Sequence, residues 1–156
     1  MKLFNPILAD FVWAALLLEG RLLAIPIILI GLVVEYFFVQ QLTGFSVKRS
    51  IIADVTMNAI SLLLGILLIP LAGLAWEFTV GSLLYEQFKI SSFGYLAWTA
   101  TFILAVLINT IIEYLVLRKI FKLEKTKSGF RWLCLANALS VGTTFASFWF
   151  FPISNY

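Results

Sequence analysis

Four long apolar stretches, separated by short polar segments, dominate the pattern of hydrophobic and polar positions along the chain. They are Leu22–Gln41, Ile51–Leu74, Tyr95–Leu117 and Trp132–Phe151. A helix needs about 20 mainly apolar residues to cross ~30 Å of hydrocarbon at 1.5 Å per residue. Each stretch meets this requirement. The pattern therefore predicts an all-α integral membrane protein, with four transmembrane helices in one bundle.

The polar segments divide this bundle into two tandem helical hairpins. A short turn, Leu42–Ser50, joins the first two stretches, and the lysine-rich segment Arg118–Arg131 joins the last two. We expect a single membrane domain in which residues 22–74 and 95–156 are the hairpins and residues 75–94 form an external connector.

The N-terminal segment, residues 1–21, contains a further apolar run that is too short to span a membrane. This run, Pro6–Leu18, predicts an interfacial or re-entrant helix, or a cap packed on the bundle.

The composition agrees with a membrane protein. Hydrophobic residues make up 62% of the 156 residues, charged residues 12%, and the mean hydropathy is +1.04. Soluble domains have about 25% charged residues. The lipid bilayer is thus the first expected partner, and no segment is long and polar enough to form a separate soluble domain.

The basic residues predict the orientation of the chain, because cytoplasmic loops carry an excess of Lys and Arg. Eight of the eleven lie in or beside the two hairpin turns: Lys48, Arg49, Arg118, Lys119, Lys122, Lys125, Lys127 and Arg131. We expect both turns in the cytoplasm and both termini outside, in a bacterial-type plasma membrane. The six residues of the second turn could also attract anionic lipid or a cytoplasmic partner.

A sequence similarity relates the two hairpins. A Glu-Tyr pair begins at Glu35 in the first stretch and at Glu113 in the third. Each pair is followed, 23 or 24 residues later, by an Asn-Ala-aliphatic-Ser sequence that begins at Asn58 or Asn137. We interpret this as an internal duplication that relates the hairpins by a pseudo-twofold axis along the membrane normal.

Helical geometry brings these polar residues together. Counted from the cytoplasmic end, Glu35 and Asn58 lie roughly 9–10 Å deep on adjacent antiparallel helices, and Glu113 and Asn137 match in the same way. Buried polar groups need partners, so each pair should turn inward. With Asn109, one turn from Glu113, they form a candidate intramembrane polar site.

This polar site has two interpretations. The Glu–Asn hydrogen bonds could simply fix the register of each hairpin, or the site could bind a cation, a proton or another protein. Asp54, which has no counterpart in the second hairpin, is expected to form a salt bridge with Lys48 or Arg49 at the membrane surface.

Small residues spaced by four predict close helix packing. Ser61 and Gly65 form such a stripe on the second helix, and Ala138, Gly142 and Ala146 form one on the fourth. The simplest use of the two stripes is contact between these helices at the centre of the bundle.

No pattern in the chain is typical of catalysis. Histidine is absent, Cys134 is the one cysteine, and the common hydrolase, nucleotide-binding and metal motifs are missing. We therefore predict no enzymatic activity, cofactor, metal site or nucleic-acid partner.

Two function classes follow. The first is a non-enzymatic accessory or regulatory subunit that binds another membrane protein or itself. The alternative is a small ion- or proton-coupled transporter or channel that uses Glu35 and Glu113. A hydrated cavity at the polar site would favour the alternative, and a dry packing core would favour the subunit.

Overall fold

The computed structural model describes residues 17–18, 20–88, 95–124 and 127–150. These residues are almost entirely helical, and no strand occurs among them. We number the helices α1 (Ile25–Thr43), α2 (Val47–Trp76), α3 (Ser82–Phe88), α4 (Tyr95–Lys119) and α5 (Lys127–Phe150). The prediction of an all-α chain is confirmed for this part of the protein.

The first hairpin turns within three residues. Helix α1 has a proline, Pro26, in its first turn, where the fixed φ suits a helix and the missing N–H costs nothing. It ends at Gly44, whose φ of 63° is left-handed and whose N–H bonds to the carbonyl of Gln40. Glycine adopts this conformation without strain, so the chain can reverse at once into α2.

Helix α2 is longer than predicted. A π-helical turn, Glu77–Gly81, links it to α3, so that Val47–Phe88 is one helical segment of 42 residues. At 1.5 Å per residue it is about 63 Å long, which exceeds the ~40–45 Å of a complete bilayer. The predicted connector, residues 75–94, is therefore helical as far as Phe88, and residues 89–94 lie outside the described part.

Among the described residues, three helical segments are long and apolar enough to cross a membrane: Ile25–Thr43, Val47–Phe88 and Tyr95–Lys119. A membrane location follows from them. Helix α5 has 24 residues and is not among these three candidate spans. Four spans were predicted, and the structure supports three by length and composition.

Each helix of one hairpin packs against a helix of the other. Besides the contacts within the hairpins, α2 packs against α4, and α1 packs against α5. Helices α2 and α5 are not among the pairs in extensive contact. The predicted packing of the second and fourth helices at the centre is therefore wrong: the small residues Ser61 and Gly65 of α2 are buried, but α2 lies beside α4.

Two apolar clusters lie at different levels along the helices. The first, near the basic turns, consists of Val39, Ala53, Met57, Ile112, Tyr114, Val116, Leu117 and Leu133. The second, toward the opposite end, consists of Leu18, Ile69, Ala105, Val106 and Val141. The polar residues of the candidate site lie between these clusters.

The end of the N-terminal segment belongs to the second cluster. Leu18 is completely buried there, as expected of a cap that packs on the other helices. The rest of the predicted short helix, Pro6–Leu18, lies outside the described residues, apart from Leu17.

Candidate functional site

The two predicted Glu–Asn pairs are confirmed. The amide Nδ2 of Asn58 donates to Oε2 of Glu35 at 2.7 Å, and Nδ2 of Asn137 donates to Oε2 of Glu113. Both carboxyl groups are buried, with Glu35 2% and Glu113 1% exposed. Each pair joins the two helices of one hairpin, so neither carboxyl points toward lipid.

Two serines link the hairpins to each other. The hydroxyl of Ser61 on α2 donates to Oε1 of Glu113 at 3.1 Å, and the Ser140 side chain on α5 hydrogen bonds to Glu35. Each carboxyl thus binds an asparagine from its own hairpin and a serine from the other hairpin. The four helices meet in this one reciprocal network.

The sequence contained a signal for these serines. Ser61 and Ser140 each follow their asparagine by three residues, which is the spacing of neighbours on one helix face. Ser61 was predicted only as a packing residue, and Ser140 was not selected. Their role depends on which helix lies opposite, and this was not predictable from the chain alone.

Asp54 also belongs to the network, contrary to prediction. It is 3% exposed and accepts a hydrogen bond from Asn58 Nδ2 at 3.2 Å. The guanidinium of Arg49 instead donates to the carbonyl of Phe121 at 3.1 Å and lies 3.9 Å from the centre of the Phe45 ring. The predicted surface salt bridge is wrong because Asp54 lies four residues before Asn58 and therefore on the same, inward-facing side of the helix.

The network combines three acidic side chains with no basic one. Asp54 and Glu113 both interact electrostatically with Glu35, while their hydrogen-bond donors in the described part are neutral amides and hydroxyls. An uncompensated buried ion costs several kcal/mol. Protons or a bound cation can remove this cost. No three Asp, Glu, His or Cys residues in the described part are arranged to hold a metal ion.

A cavity of about 220 Å³ lies against this network. Glu35, Asn58 and Glu113 line it together with Asn109, whereas Asn137 is buried behind Glu113. Since a water molecule occupies about 30 Å³ of liquid and needs polar partners, the cavity is large enough to hold several, and its polar end offers such partners. Three of the four predicted Glu and Asn residues therefore border a cavity instead of a closed packing core.

The cavity walls are aliphatic and come mainly from the first hairpin. Ile27, Ile28 and Leu32 of α1 face Val55 and Leu62 of α2. At the end away from the basic turns the lining includes Leu22 and Ile69, which pack beside the buried Leu18. The N-terminal segment thus packs beside this end of the cavity.

The remaining predicted residues lie away from the site. On α5, Ala138 and Gly142 are half-buried and Ala146 is exposed. In the second turn, Arg118 lies over the Tyr114 ring at 5.8 Å, and Lys119, Lys122 and Arg131 are exposed. Lys125 and the Lys127 side chain lie outside the described part.

Comparison with known proteins found no matching family model, no similar curated protein and no similar solved structure.

Proposed function

We propose that this protein is a small membrane transporter or channel in which Glu35 and Glu113 bind and release protons or a monovalent cation. The observation that supports it best is the position of both carboxyls beside a 220 Å³ cavity, in a network with Asp54 that contains no basic side chain. Intramembrane carboxyls of this kind mark ion and proton pathways in other membrane proteins.

The proposal includes the architecture. We infer that α5 also spans the bilayer, which would complete a four-helix bundle of two tandem hairpins with both termini outside. Its 24 residues give a length of about 36 Å, and Asn137 and Ser140 hold it to both carboxyls. The reciprocal Glu–Asn and Glu–Ser bonds are what a pseudo-twofold relation between the hairpins requires.

The second candidate is the accessory subunit that the sequence favoured. In its support, both carboxyls have hydrogen-bond donors from two helices. Hydrogen bonds of this kind can fix the register of neighbouring helices. In that case the protein would bind another membrane protein or itself, and the network would have no role in conduction.

Proton and cation flux in proteoliposomes distinguishes the two candidates. We expect the parent protein to dissipate an imposed gradient, read with an internal pH dye or a monovalent-cation dye. The variant Glu35→Gln/Glu113→Gln should lose this flux, because conduction needs the ionisable group. Glu86→Gln is the matched control, since Glu86 is exposed on α3, and it should conduct like the parent. A parent protein without flux would favour the accessory subunit.

A further inference from the structure

The cavity has two chemically different sides. Its walls consist of aliphatic side chains, including Ile28 and Leu62, whereas its polar end is formed by Glu35, Asn109 and Glu113. None of the described residues that line it is aromatic. Such a cavity suits a ligand with a polar head and a saturated hydrocarbon tail, because pockets bind by apolar contact and orient by a few polar groups.

The acidic groups at the polar end determine which charge the head group of a ligand should carry. Two carboxyls line the cavity and Asp54 lies directly behind Asn58. An anionic head would be repelled by these groups whenever one of them is ionised, and a neutral head would not compensate that charge. A cationic head supplies the missing charge.

The free hydrogen-bonding capacity matches a primary ammonium group. An ionised carboxylate can accept about four hydrogen bonds, and Glu113 accepts two, from Ser61 and Asn137. The side chain of Asn109 faces the cavity, and within the described part no residue hydrogen bonds to it. An ammonium head has three N–H donors, which these acceptors can satisfy. A quaternary ammonium has none and usually binds in an aromatic cage.

The volume indicates how many ligand atoms the cavity can enclose. A cavity of about 150 Å³ accommodates benzene, so 220 Å³ accommodates roughly nine non-hydrogen atoms by proportion. This space fits an ammonium group with a short unbranched alkyl chain.

We infer that the cavity binds a short primary alkylammonium ion, with its head at Glu35, Asn109 and Glu113 and its chain between α1 and α2. The inference rests on the proposed function, because it makes the alkylammonium the cation that the carboxyls bind. The inference names a class of compounds as ligands. Hexylammonium represents this class and is smaller than the limit of roughly nine non-hydrogen atoms.

Calorimetric titration of the full-length protein in nanodiscs tests this inference. The probes are hexylammonium, hexanol and hexanesulfonate, and empty nanodiscs correct for partition into lipid. We expect saturable binding of hexylammonium alone. Ile28→Phe, which fills the cavity, should weaken binding about fivefold or more, because overpacking costs ~1–3 kcal/mol and 1.4 kcal/mol is tenfold. Val33→Phe, at a 59% exposed position of the same helix, should bind like the parent.

Several results would overturn the inference. They are the absence of saturable hexylammonium binding, binding of hexanol as tight as that of hexylammonium, and equal affinities of the Ile28→Phe and Val33→Phe proteins for hexylammonium. Proton flux in a protein that does not bind hexylammonium would overturn the inference and leave the proposed function standing. Saturable, cavity-dependent binding in a protein without any flux would support the inference and contradict the proposed function.

Discussion

Gly31 offers a quantitative test of the link between the two hairpins. It is buried where α1 meets α5, and a Cβ atom added there would lie 2.8 Å from Oγ of Ser140. Real Cβ atoms do not approach other atoms so closely, so Ser140 would have to turn away. Because this hydroxyl binds Glu35, Gly31→Ala should damage the polar network as well as the packing.

The expected magnitude follows from three effects. Alanine favours a helix by ~1 kcal/mol over glycine, whereas overpacking costs about 1–3 kcal/mol. Loss of the Ser140–Glu35 hydrogen bond costs about 0.6–1.5 kcal/mol more. Gly31→Ala should therefore lower the free energy of unfolding by roughly 0.6–3.5 kcal/mol.

The partner substitution Ser140→Ala should reverse this effect. It removes Oγ and leaves the Cβ of residue 140 at 4.0 Å from the new methyl group, which is an ordinary contact. In this background Gly31→Ala should be neutral, or stabilise the protein by up to ~1 kcal/mol. A double-mutant cycle, measured by unfolding in mixed micelles, gives the coupling energy. If the two substitutions are additive, the contact between Gly31 and Ser140 is refuted.

Three further predictions follow from other parts of the fold. Gly142→Ala should be tolerated, or stabilise by about 0.5–1 kcal/mol, because a Cβ there meets nothing within 4 Å; a clear loss of stability in micelles would contradict this. Leu18→Ala should destabilise by about 2–5 kcal/mol, since Leu18 is fully buried, and an unchanged unfolding curve would show that the N-terminal segment does not pack on the helices. Lys48→Cys in intact cells should react with an impermeant maleimide only after permeabilisation, and labelling from outside would reverse the proposed topology.

The helices and the Glu–Asn pairs could be predicted because each depends on local geometry. Apolar length specifies a helix, and the constant rise places Glu35 and Asn58 at one depth when a short turn joins their helices. The contacts between side chains of the two different hairpins could not be predicted in this way. Ser61 reaches Glu113 only because α2 packs against α4, which depends on the shape of all the packed side chains.

Asp54 shows where a plausible local interpretation failed. Basic neighbours suggested a surface ion pair, but its position four residues before Asn58 places both on one helix face. Since Asn58 must face Glu35, Asp54 must face inward with it. The sequence contained no comparable pattern that predicts the cavity, because an unfilled volume depends on how closely α1 and α2 approach each other.

Chemical modification of the carboxyls tests most directly whether they face the cavity and take up protons when it holds no other cation. N,N′-diisopropylcarbodiimide, a lipid-soluble reagent of about the size that the cavity accommodates, converts a protonated carboxyl into an N-acylurea by addition. We predict that peptide mass spectrometry of treated proteoliposomes finds this adduct at Glu35 or Glu113, and that proton flux falls in proportion to labelling. Unlabelled Glu35 and Glu113 in a conducting protein, or labelled carboxyls with undiminished flux, would contradict their role in conduction.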